Sequence, residues 1–124
     1  MALTVNHPTL KEVTVYAHTA SAGGTPIAAV TRAPFRGKVV KVGGVLAGTL
    51  TTADALVAVT IAGTTITGCS AVTIPSTLST VGTSFSAVPT ALNACNEDDY
   101  ISFTPSAASG SAIPCTFYAV IQAS

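Results

Sequence analysis

The chain has 124 residues, of which 48% are hydrophobic and only 8% charged, and its five basic and five acidic residues cancel. A typical soluble domain carries about 25% charge, so this surface must be built from Ser, Thr, Gly and Ala, which shed hydration far more easily than ions do. The neutral balance, with a pI near 6.7, excludes a general attraction for nucleic acid or anionic membrane, and the length fits one domain with its own core.

Met1 to Pro8 has neither a basic n-region nor a continuous apolar stretch, so no cleaved secretory signal is expected. Leu10 to Ala17 fits both helical and strand spacing, and the β-branched Val13, Thr14 and Val15 favour a strand from Val13 to Tyr16. Thr19 to Pro26 reads as a Gly/Ser/Thr joint. Residues 1–33 are therefore an N-terminal arm, or equally a first strand followed by a long loop, and residues 34–124 a β-sandwich domain.

Lys38 to Leu46 reads as a strand, with Gly43-Gly44 marking a bulge or a bend. Val57, Val59 and Ile61 alternate with Ala58 and Thr60, and Gly63 allows a tight reversal, so Leu56 to Cys69 reads as a hairpin. Further strands are predicted at Val72 to Ile74, Ser84 to Val88, Tyr100 to Thr104 and Cys115 to Gln122. Pro34, Pro75, Pro89, Pro105 and Pro114 are placed at run ends, where a missing N–H interrupts no ladder. The apolar runs Gly43 to Leu50 and Ala53 to Gly63 are broken and fall short of the ~20 residues of a spanning helix. Many short strands with Gly and Pro turns predict an all-β sandwich, barrel or jelly roll.

Charge is scarce but clustered. Arg32, Arg36, Lys38 and Lys41 lie close in sequence, and Glu97, Asp98 and Asp99 are consecutive. Both groups are candidate protein-contact residues, where charge sets register more than affinity; the alternative is a solvated strand edge and a turn. Glu97 to Asp99 with Asn93 and Asn96 lack the alternating spacing of a Ca²⁺ loop, and two His and three Cys lack zinc spacing. No metal or cofactor is expected.

Cys69, Cys95 and Cys115 are an odd, widely spaced set that fits buried reduced thiols. An enzyme would need one of them to meet His7 or His18 in a cleft, and no catalytic motif is present, so no enzyme is expected. Tyr16, Tyr100 and Tyr118 are candidate anchors in a core or interface, or less favourably a sugar platform.

From Ala33 to about Gln122 the chain resembles the small decoration, or cement, proteins of tailed-phage capsids. The resemblance lies in Ala33 to Val42, Leu50 to Ala55, the hairpin Val59 to Gly68, Ala91 to Phe103 and Pro114 to Ile121. Where that family prefers Gly-Asp and Asn-Gly, this chain has Asp98-Asp99 and Ala62-Gly63. The resemblance implies a jelly-roll-like antiparallel β-sandwich with an N-terminal arm. It implies a virion protein, made in the host cytoplasm, on the outer capsid surface, where it clamps neighbouring major capsid subunits and associates with itself as a dimer or trimer. The alternative is the receptor- or ligand-binding head of a trimeric fibre, resembling C1q- or TNF-like jelly rolls.

Overall fold

A computed structural model describes residues 11–22, 27–48, 54–74, 84–106 and 113–123. Ten strands follow in chain order: β1 (Glu12–Thr19), β2 (Ala29–Arg32), β3 (Gly37–Leu46), β4 (Ala55–Ile61), β5 (Thr64–Thr65), β6 (Val72–Ile74), β7 (Ser84–Ala87), β8 (Ala94–Cys95), β9 (Tyr100–Ser106) and β10 (Cys115–Ala123). One sheet runs β1-β10-β3-β7, with β8 also on β3, and the other runs β2-β9-β4-β5, with β6 also on β4. All pairings are antiparallel.

Setting aside the short β5 and β8, the first strand pairs with the last, the second with the last but one, and so inward to β4 with β6. A long antiparallel ribbon wound in this way, with its pairs alternating between two sheets, is a jelly roll. The sandwich thus includes strands from before residue 34: β1 is an edge of one sheet and β2 an edge of the other. Thr19, buried where the chain leaves β1, donates its hydroxyl to the carbonyl of Ile27 (2.6 Å) and accepts from the N–H of Ser21 (3.2 Å). Residues 1–10, where an arm would begin, lie outside the described residues, as does the middle of the joint, residues 23–26.

The core forms where inward residues of the two sheets meet. Phe117 of β10 stacks on Phe103 of β9 with centroids 5.1 Å apart, and Phe85 of β7 meets Phe117 edge-on at 6.1 Å. Val39, Val42, Leu46, Val57, Val59, Ile74, Ile101 and Ile121 fill the space around them. The alternation that marked these strands is a direct reading of which side chains reach this layer.

Two details differ from the sequence expectation. The bulge in β3 lies at Val40, between the pairs Val120↔Lys41 and Ile121↔Val39, and not at Gly43-Gly44. The glycines stay in register and make room: a Cβ on Gly44 would lie 2.7 Å from the Phe85 ring, and one on Gly43 would meet the Phe85 carbonyl and the Tyr118 ring. Pro105, expected at a strand end, sits within β9 opposite Val57. The bond from Ala62 N–H to the Tyr100 carbonyl (2.9 Å) gives the even residues of β9 to β4. The ring nitrogen of Pro105 therefore faces the β2 side, beyond the Ala29↔Phe103 pair where β2 begins, and no ladder bond is lost.

Candidate protein-contact surfaces

The clustered charges of the sequence are divided by the fold. Lys38 and Lys41 both project from the outer face of the β1 sheet, because the extra residue Val40 restores their common side after an odd spacing. Arg32 ends β2 on the outer face of the opposite sheet, and Arg36 is exposed in the β2–β3 turn. The four cations therefore do not form one patch.

The acidic run forms the turn between β8 and β9. Ala33, fully buried, donates to the carbonyl of Asp99 and accepts from the N–H of Asp98, both at 2.9 Å, which ties this turn to the β2–β3 turn. Asp98 adopts a left-handed φ of 70°, a conformation Asp tolerates better than most residues. The Asp99 carboxylate accepts from the N–H of Asn96 (2.9 Å), and the Asn93 amide donates to the Val39 carbonyl (2.7 Å). The Asp99 carboxylate and the Asn93 amide nitrogen thus serve the backbone, and among the described residues no three His, Cys, Asp or Glu side chains converge as metal ligands do. Arg32 Nη1 reaches the Asp98 carbonyl at 3.4 Å, so one cation of the basic group does meet the acidic turn.

Cys69, Cys95 and Cys115 are buried and free. Burial pushes all three thiols above their ordinary range, Cys115 to about 12, the opposite of an activated nucleophile. His18 projects outward from β1, beside Thr116 (3.3 Å), while Cys115 points inward, so the sheet separates them. His7 lies outside the described residues. Tyr16 and Tyr118 are cross-strand neighbours on the outer face of the β1 sheet, and Tyr100 lies on the other sheet, so no three-tyrosine platform forms.

The outer face of the β2 sheet is the surface that sequence reasoning missed. Register places Val30, Ser102, Thr60 and Thr65 in one row, Thr104 beside Ala58 in the next, and Ser106, Leu56 and Thr73 in a third. Val30 is 58% exposed, Leu56 41% and Tyr100 44%. Arg32, at the margin, is the one ion of this face among its described strands. The signal was present in the polar phase of the alternation in β4, β5 and β9, which holds Thr and Ser and no Lys or Glu. A shallow recess of about 230 Å³ opens beside this sheet, lined by Ile61, Ala62, Thr64, Leu92, Ala94 and Asp99.

No family model and no curated protein matches the sequence. Among solved structures, the fold is similar to a chain of the cyanophage Pam1 capsid asymmetric unit, with a TM-score of 0.63 and 13% identity over 100% of this chain and 93% of that one. It is also similar to the PRD1 vertex protein P5, with a TM-score of 0.52 and 13% identity over 96% of this chain and 100% of that one. A family 35 carbohydrate-binding module from Clostridium thermocellum shares it at a TM-score of 0.50 and 18% identity, over 91% and 92% of the two chains. At such identities the likeness is one of fold, which hosts several functions.

Proposed function

We propose that the protein is a structural component of a phage virion that binds the outside of an icosahedral capsid, bridges neighbouring major capsid subunits and stabilises the shell. The observation that carries this reading is the outer face of the β2 sheet. Stripping water from one ion costs several kcal/mol unless a partner replaces it, whereas hydroxyls, each both donor and acceptor, find new hydrogen bonds readily. A face made of Ser, Thr, Ala, Val and Leu can therefore be buried against protein over a wide area. The likenesses to a phage capsid chain and a vertex protein, each over nearly its full length, support the same direction. The role needs no active site and no cofactor, because many symmetric copies multiply a modest contribution per site.

The test adds purified protein to undecorated shells and follows disruption by calorimetry. Saturating protein is expected to raise the disruption temperature, and Thr104→Asp, which puts a charge in the middle of the face, is expected to weaken binding while leaving the free protein folded. Saturating occupancy without a rise in temperature overturns the clamp. A second reading, a head confined to the vertices, is favoured by the likeness to PRD1 P5; it predicts occupancy at five-fold positions alone.

A further inference from the structure

We propose that β1 is a homodimerisation edge, along which two copies of this chain pair strand to strand about a two-fold axis through Val15. β1 ends its sheet, and among the described residues only β10 pairs with it. The Ala123 N–H donates to the Lys11 carbonyl (2.9 Å), and the β1–β10 register continues that pair. Main-chain groups of the odd residues therefore turn to β10, and those of Glu12, Thr14, Tyr16 and His18 turn to the open edge.

Edges of this kind are normally protected by shortness, Pro, bulges or mid-strand charge. β1 has eight residues in regular register, and between Glu12 and His18 it holds only Val, Thr, Val, Tyr and Ala. Pairing of two sheets demands that facing residues share a side, which restricts the symmetric registers to those with one residue on the axis. With Val15 on the axis, the outward main-chain groups of Glu12, Thr14, Tyr16 and His18 all find partners within the strand, which no other such register allows.

The same register makes the strand complementary to itself. Glu12 faces His18 of the second copy, and Thr14 faces Tyr16 of the second copy, an acid–imidazole pair and an aromatic–β-branched pair. Both rows lie on the outer face, where Tyr16 is 64% exposed. On the inner face, the half-buried Val13 and Val15 at the mouth of the sandwich gain cover from the second copy's Ala17 and Val15. No like charges are opposed.

Sedimentation equilibrium of the full chain without shells tests this apart from the shell reading, since either result can fail alone. The wild type is expected to be a dimer. Thr14→Pro removes only an outward N–H, so the fold should survive by circular dichroism while the dimer dissociation constant rises about tenfold or more. Glu12→Lys should also weaken the dimer, and Glu12→Lys combined with His18→Glu should restore it. Val15→Cys should give a disulfide-linked dimer on oxidation, the native thiols being buried. A monomeric wild type, or an oligomer unchanged by Thr14→Pro and Glu12→Lys and not linked by Val15→Cys, overturns the proposal.

Discussion

Cys115 is fully buried on the inward side of β10, two residues from the Phe117 stack. Burial raises its thiol from 9.0 to about 12, against a smaller opposing pull from a backbone hydrogen bond at Val45. Above pH 9 the unfolded chain loses this proton while the folded chain keeps it, so stability falls as pH rises. The contribution is intact below about pH 9 and is lost as pH climbs through about 12. Urea midpoints measured across this window should decline, and Cys115→Ala should flatten the decline; an unchanged slope would contradict the burial account. Burial of the cysteines was legible from their spacing, and so was the tip at Ala62-Gly63, whose φ values of 50° and 89° are those of a two-residue hairpin turn. The Val40 bulge was not legible. No glycine or polar break marks it within Val39-Val40.

At the scale of elements, β3 shows why a glycine pair sits in a central strand. It lies between β10 and β7, and the rings of Tyr118 and Phe85 cover its two faces where side chains would otherwise stand. Gly43→Ala would press a methyl against the Phe85 carbonyl, which cannot rotate away. The expected loss is about 1–3 kcal/mol, read from denaturant midpoints, and a change below about 0.5 kcal/mol, the range of an ordinary surface substitution, would contradict the close approach. The long strands β4, β9 and β10, which alternate, and β3, which does so outside its bulge and glycine pair, were readable because each sends several bulky residues inward. The short β2 sends only Ala29 and Thr31, and β8 only Cys95, too little apolar signal to mark a strand.

The winding of the whole molecule was beyond periodicity, since β1 and β10 pair across nearly the full chain. Resemblance supplied it, and the strand order agrees. Charge also has an arrangement at this scale. The connections from β1 to β2, β3 to β4, β6 to β7 and β9 to β10 all leave from one end of the sandwich, and of the ten charged residues only Asp54 falls in them. Ions gather instead toward the opposite end and the outer face of the β1 sheet, leaving Arg32 as the one ion on the described strands of the β2 sheet's outer face. The basic run seen in sequence is divided because the β2–β3 turn leaves Arg32 on one sheet and carries Lys38 and Lys41 to the other.

Cryo-electron microscopy of the assembled particle tests the central claim most directly, because it locates the domain and counts its copies in one map. Jelly-roll density is expected on the outer capsid surface, repeated at symmetry-related positions between major capsid subunits, with the outer face of the β2 sheet against the shell. Density confined to an appendage, or a shell-bound domain whose β2 sheet faces solvent, would contradict it.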